Sequence, residues 1–86
     1  MRRALVLVEW LDSHSGKGWQ ALDEMADAAR PVLCRSVGWL VAKANGTTVL
    51  VPHISGEDGG DLRQFGTGDI AIPTRAIVRT RVLRGA

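Results

Sequence analysis

The residues of this chain best suited to covalent chemistry are a short polar run and a single cysteine, Cys34. The polar run holds the residue types of nucleophilic catalysis: Asp12, Ser13, His14 and Ser15. Adjacent residues cannot form a catalytic triad, because its members must converge from different elements of a fold. No glycine-rich nucleophile turn or oxyanion motif accompanies Cys34. The pattern predicts polar loop residues that cap the following helix, a small packed thiol, and no enzyme.

Gly16-Lys17 lies where a phosphate-binding loop would lie, between a predicted strand and a predicted helix. A P-loop also needs an earlier glycine where Leu11 stands, and a serine or threonine where Gly18 stands. The sequence therefore excludes a P-loop. A weaker hypothesis remains, in which Lys17 and the backbone amides at the helix start hold an anion.

The glycine-rich loop at 55–69 concentrates carboxylates: Glu57, Asp58, Asp61 and Asp69. Their spacing lacks the alternation and the closing glutamate of a calcium-binding EF-hand loop. We interpret them as solvated charges, and the sequence predicts no metal site and no cofactor.

The only concentration of positive charge is near the end of the chain, at Arg75, Arg79, Arg81 and Arg84. The period of two in a strand places Arg79 and Arg81 on the same face. Guanidinium groups match phosphate with paired hydrogen bonds, but charged side chains also protect an edge strand from aggregation. Both interpretations stay open. The candidate ligand-binding residues are Arg75, Arg79, Arg81, Lys17 and His53.

Short strands and one helix must position these side chains. The predicted elements are a strand, a helix, a hairpin and a broken pair of strands, at 4–11, 19–31, 36–54 and 70–83. Asn45-Gly46 predicts the hairpin turn, because both residues accept positive φ, and Pro73 divides the last segment. We expect a single domain, 1–86, that is mainly β (α+β): a small, strongly bent, five-stranded antiparallel barrel with one short helix after the first strand.

The predicted hairpin has two apolar faces. Counted back from its turn, the ladder pairs Leu40 with Val51 on one face, and on this same face it places His53 opposite Gly38, where space remains for a ligand. An ordinary antiparallel ribbon has one solvated face. The domain core would cover one face, and the helix, a second subunit or both would cover the other. We expect a homo-oligomer with these interface residues: Leu40, Val49, Val51 and Trp39.

Composition limits the function only weakly. The chain has 86 residues, 45% of them apolar, and a net charge of +2, which is too small to imply nucleic acid binding by itself. The start "MRRALVLVEW" is similar to a signal peptide, but Glu9 interrupts its apolar run and no cleavage site follows, so we predict a strand there. A single cysteine and the lack of a membrane-length apolar stretch favour the cytoplasm.

Two resemblances extend this interpretation. "IAIPTRAIVRTRVL" resembles the end of SH3-like and Sm-like small barrels, where a short helical turn joins the last two strands. "VEWLDSHSGKGW", "RSVGWLV" and "GDIAIPTRAI" resemble a family of small, mostly uncharacterised proteins of tailed bacteriophages. The second resemblance implies a phage protein in the cytoplasm of its host, and favours binding over catalysis.

We therefore expect a non-catalytic, oligomeric binding module for an anionic ligand, which would be a nucleotide, a nucleotide signal or a short oligonucleotide. The alternative is a protein-interaction module, such as a phage inhibitor of a host protein. A hydrolase that uses His14 or His53 is the weakest hypothesis. If the arginines only protect an edge, the binding surface must lie in the loops at 12–18 and 55–69.

Overall fold

The computed structural model describes residues 3–57, 59–60 and 62–85, and these residues form a mainly β structure. Its strands are β1 (Leu5–Asp12), β2 (Val32–Ala44), β3 (Thr47–Val51), β4 (His53–Ser55), β5 (Phe65–Thr67), β6 (Ile70–Pro73) and β7 (Ile77–Arg84). One helix, α1 (Leu22–Asp27), follows β1, and a 3-10 turn at Thr74–Ala76 joins β6 to β7. In the described ranges no helix is long and apolar enough to cross a membrane.

Five strands form one antiparallel sheet in the order β6-β3-β2-β1-β7, and β4 pairs only with β5. The predicted five-stranded antiparallel sheet is confirmed. The predicted closed barrel is not found, since no ladder joins β6 to β7 in the described part of the chain. β7 pairs with β1 from Leu5 to Trp10 and forms one edge of the sheet. β6 forms the other edge.

Two local predictions need correction. The loop predicted at 55–69 contains a strand, because Phe65–Thr67 pairs antiparallel with His53–Ser55. The helix predicted over 19–31 is limited to Leu22–Asp27, and no side-chain hydrogen bond caps its start. A helix this short gains little from its own hydrogen bonds, so its flanks stay irregular.

The hairpin between β2 and β3 keeps its predicted turn but not its predicted register. Asn45 and Gly46 both have positive φ, and the three ladder pairs next to the turn are as expected. A bulge at Val41 then adds one residue to β2, so that Leu40 faces Leu50 rather than Val51.

The bulge also removes the predicted pocket at Gly38. His53 does not face this glycine but pairs with Thr67. A Cβ at Gly38 would lie 3.0 Å from the Val51 carbonyl oxygen and 3.2 Å from the Leu50 Cβ. The space above Gly38 is therefore filled by β3 and is closed to a ligand.

The core is small and joins strands that are not all neighbours in the sheet. Its fully buried side chains come from β1, β3 and β6: Val6, Val8, Leu50 and Ile72. Half-buried neighbours complete it: Ala4, Trp10, Leu40, Ile70 and Ile77. Thr48 is the buried polar residue of this region, and its hydroxyl lies 2.9 Å from that of Thr74. This bond joins the turn after β6 to the neighbouring strand β3.

The β4–β5 pair covers part of the second face of the hairpin. A Cβ at Gly66 would lie only 2.8 Å from Cγ2 of Val51, which is 4% exposed. The helix does not supply this cover, because none of its residues is buried. The second face is thus covered at β3 by the chain's own short strands.

The molecule is elongated, with extents of 58 × 23 × 22 Å and a radius of gyration of 17.0 Å. A compact domain of this length would have a radius of gyration of about 12 Å. The elongation comes from the end of the β1–β2 ribbon and from the segment that joins these strands, where every residue from 11 to 33 is exposed. We call residues 11–33 the distal arm.

Candidate functional site

One face of three neighbouring strands carries a mixture of arginine and apolar side chains. It is the side of β2, β1 and β7 that points away from Val6 and Val8, and we call it the open face. Paired residues share a face of a sheet. The ladders therefore assign to the open face Arg35, Val37, Trp39, Leu5, Leu7, Glu9, Arg79, Arg81 and Arg84.

The open face consists of three rows that cross the strands. The first row is Arg35–Glu9–Arg79, the second is Val37–Leu7–Arg81, and the third is Trp39–Leu5–Arg84. Neighbouring strands are about 4.8 Å apart, and successive rows are about 7 Å apart. Each row ends in an arginine on the edge strand β7, so positive charge follows the whole edge.

The first row is an ion-paired ladder. Glu9 lies between two arginines, with 3.3 Å from its Oε2 to Nε of Arg35 and 3.9 Å from its Oε1 to Nε of Arg79. The Glu9 side chain is 20% exposed, whereas those of the arginines are 63% and 61% exposed. Surface pairs of this kind contribute about 1 kcal/mol at most. Glu9 thus offsets part of the charge of this row.

The other two rows have no such carboxylate. In the described part of the chain, neither Arg81 nor Arg84 forms an ion pair. Four arginines and one glutamate give the open face a net charge of +3. Exposed guanidinium groups without a carboxylate partner are the natural donors for a phosphate or carboxylate ligand.

A cleft of about 440 Å³ adjoins the third row. Its lining residues are Arg3, Trp39, Ile54, Gly56, Glu57, Gln64, Arg84 and Gly85. Two arginines and one glutamate leave it positive, and a half-buried tryptophan supplies an aromatic wall. The volume falls within the range of small-molecule sites.

A second cavity, of about 370 Å³, lies between the β4–β5 pair and the hairpin. It shares Arg3, Ile54 and Gln64 with the cleft, and its walls include Val49 and Val51. Nη1 of Arg3 donates a hydrogen bond to the Val41 carbonyl at 3.4 Å. Arg3 therefore stands at the boundary of the two cavities.

The structure brings together only some of the predicted ligand-binding residues. Arg79 and Arg81 share the open face, as predicted, and both are exposed. Arg75 lies in the 3-10 turn, Lys17 in the distal arm and His53 on β4. These three are outside the open face.

The predicted interface residues are in different environments. Val51 is buried and Leu40 packs against the core, so the chain itself covers both side chains. Val49 is half-buried in the wall of the second cavity. Trp39 alone among the four belongs to the open face.

Sequence reasoning missed Glu9, Arg35 and Arg3 as site residues. The period of two along β2 places Arg35 on the same face as Trp39, so this position of Arg35 could have been predicted from the sequence. The residue that pairs with Arg35 could not be predicted, because nothing in the local pattern sets Glu9 opposite Arg35 rather than one residue away.

The groups considered for covalent or metal chemistry do not converge. In the ranges that the structure describes, no three His, Cys, Asp or Glu residues are grouped to hold a metal ion; Asp58 and Asp61 lie outside those ranges. Sγ of Cys34 is 3.8 Å from the Val32 carbonyl, and no hydrogen bond joins it to a histidine of the described chain. The open face and its cleft are the better candidate site.

Comparison with known proteins adds no assignment: no family model, curated protein or solved structure matches this chain. The resemblances to tailed-phage proteins and to SH3-like or Sm-like barrels therefore stay predictions. The open face and its cleft are therefore interpreted from their geometry and charge.

Proposed function

We propose that this protein is a non-catalytic binding module whose open face and adjoining cleft hold an anionic ligand. The observation that carries the proposal is the third row, where Arg84 and Trp39 flank Leu5 and also line the cleft. Arg81 stands one row away, and Arg3 faces the same cleft. Guanidinium groups beside an aromatic wall suit a phosphate joined to a base.

The ligand class follows from this chemistry. Arginine binds phosphate with paired hydrogen bonds, and an aromatic face stacks on any base without sequence preference. A nucleotide, a nucleotide signal and a short single-stranded oligonucleotide all combine these two groups. Glu57 in the cleft opposes a ligand with high charge density and favours one whose charge extends along the arginines of β7.

The test compares two double variants with equal loss of charge. Arg81→Ala plus Arg84→Ala removes the two arginines of the open face that form no ion pair in the described chain. Arg30→Ala plus Lys43→Ala removes two exposed cations elsewhere. Calorimetric titration would use mono- and dinucleotides and a short oligothymidylate. Each lost charged hydrogen bond is worth about 1.5–3 kcal/mol, so the first variant should bind at least about tenfold more weakly.

Salt distinguishes the possible ligands. Oligonucleotide binding should fall steeply as salt rises, because phosphate neutralisation releases counterions. Binding of a small nucleotide in the cleft should fall less, because partly buried pairs are screened less. Equal affinity of the two double variants for every probe would reject the proposal.

A protein-interaction module is the second candidate function. It is favoured by the second row, where exposed Val37 and half-buried Leu7 stand beside Arg81. Arginine next to apolar side chains is typical of protein interfaces. Val37→Ser should then weaken binding of a purified acidic protein partner as much as Arg81→Ala does. Nucleotide binding in the cleft should not respond to Val37→Ser.

A further inference from the structure

The distal arm is the largest part of the molecule that has no covering layer. All residues from 11 to 33 are exposed, and Leu22 retains 81% of its accessible surface. The exposed large apolar side chains of the arm are Leu11, Trp19, Leu22, Met25, Val32 and Leu33. Leu22 and Met25 share one face of α1, and an uncovered apolar face of this kind is a candidate interaction surface.

Helix α1 cannot maintain its own structure. It has six residues, no side-chain cap and no buried side chain. Isolated helices shorter than about 12–15 residues are marginal in water, so tertiary contacts normally stabilise a helix of this length. Leu22, Met25 and Ala26 form the apolar stripe that such contacts would use. No residue of the described chain buries this stripe, so a second molecule is the natural source of the stabilising contacts.

The chain exposes more surface than a compact monomer of its mass. A folded monomer of 9.3 kDa exposes about 5000 Å², whereas this chain exposes 6884 Å². The difference is about 1900 Å² per chain, and two chains that buried it would form an interface of obligate-dimer size. A small ligand is far too small to cover this area.

Charge indicates which surface fits the arm. The carboxylates of α1 are Asp23, Glu24 and Asp27, and the helix has no basic residue. Asp23 and Asp27 flank the apolar stripe on one side. The open face offers the complement, because it combines a net charge of +3 with Leu7 and Val37.

Length limits how much of the open face the helix can cover. Six helical residues span about 9 Å, which corresponds to one or two rows of about 7 Å each. The first two rows lie nearest the ribbon end, where Leu11 pairs with Leu33. The third row and its cleft remain outside the footprint of the helix.

We propose that the distal arm of one copy packs against the first two rows of the open face of a second copy, and that the exchange is reciprocal. The apolar stripe of α1 covers Val37 and Leu7, and its carboxylates pair with the arginines of these rows. A two-fold arrangement buries both arms at once, because each copy contributes one arm and one open face to the interface. The inference goes beyond anion binding and does not depend on it.

The first test is the molar mass in solution, measured by light scattering at micromolar concentration. The wild-type chain should give at least twice 9.3 kDa. Trp19→Ser plus Leu22→Ser should lower the mass about twofold, to that of one chain. Both side chains are exposed in the single chain, so the variant should keep its β-sheet signal in circular dichroism.

The matched control is Leu62→Ser plus Phe65→Ser, which removes two exposed apolar side chains outside the arm. It should keep the mass of the wild type. A monomeric wild type, a loss of mass in the control, or an unchanged mass in the arm variant would each overturn the proposal.

The second test locates the contact. A photo-crosslinking amino acid at position 22, in a mixture of isotope-labelled and unlabelled chains, should give crosslinks between copies that map to 35–37 on β2 or to 7–9 on β1. Crosslinks that join α1 to α1, or that form only within one copy, would overturn the reciprocal packing. Nucleotide binding by the same arm variant should not weaken, since the cleft lies outside the footprint and loss of the arm only uncovers Arg81.

Discussion

We call the described residues outside the distal arm the base; they are 3–10, 34–57, 59–60 and 62–85. The base and the distal arm share strands β1 and β2 but differ in what packs against these strands. In the base, β1 contributes Val6 and Val8 to a core closed by β3 and β6. In the arm, the same ladder continues to Asp12 and Val32, where both faces of the ribbon are exposed. Backbone pairing is continuous through both regions, but burial is confined to one.

This contrast shows that strand pairing and stability are separate properties. A backbone hydrogen bond contributes little net free energy, because the unfolded chain bonds to water. An isolated two-stranded ribbon is marginal, and added strands or a helix packed on its apolar face make it stable. The base has such cover within the chain, and we propose that a second copy supplies it to the arm.

The largest expected loss of stability comes from Leu50→Ala, and Leu33→Ala is its matched substitution in the arm. Leu50 is fully buried in the base, and its truncation should lower the free energy of unfolding by about 2–5 kcal/mol. Leu33 lies in the arm and is 47% exposed, so its truncation should cost less than about 1 kcal/mol in a monomeric background. Urea unfolding in the Trp19→Ser, Leu22→Ser background measures both. Equal losses would show that the arm has its own core.

A smaller effect is expected where the base is tightly packed. Gly38→Ala would place a methyl group 3.0 Å from the Val51 carbonyl oxygen, and this backbone atom cannot move freely. We expect a loss of about 1–3 kcal/mol from overpacking. Gly85→Ala is the control, because nothing lies within 4 Å of its added carbon. Thermal unfolding should separate the two variants, and equal midpoints would contradict the close approach of β3 to β2.

The smallest expected change in stability comes from a substitution in the first row of the open face, which lies where the base meets the distal arm. Glu9→Gln removes both ion pairs and should cost about 1 kcal/mol or less, since exposed pairs are weak and screened by salt. The same change raises the net charge of the open face and should strengthen anion binding slightly. Arg35→Gln provides the opposite change of charge. Unchanged affinity in both variants would limit the ligand to the second and third rows and the cleft.

The shared face of two arginines on β7 is the part of the candidate site that could be predicted from local pattern. The period of two placed Arg79 and Arg81 on one face, and the ladders confirm this. The charged partner at Glu9 was not predictable, because it depends on which strands become neighbours. The candidate residues Lys17 and His53 were chosen for their type, and the fold places them on other elements.

The sequence by itself determined the features that depend on one residue's backbone preferences. Asn45-Gly46 makes the hairpin turn because both residues accept positive φ. Pro73 ends β6, and the chain then makes the predicted short turn before β7. Such preferences act within a few residues and do not depend on what the rest of the chain does.

The tertiary structure alone decided the features that join distant segments. The bulge at Val41 shifts the register beyond it and sets Trp39 opposite Val51. The packing of Gly66 on Val51 gives the base its second cover, whereas every residue of the arm from 11 to 33 is exposed. The physical reason is that apolar pattern fixes only which side chains should be buried, whereas register and sheet curvature determine what can reach them.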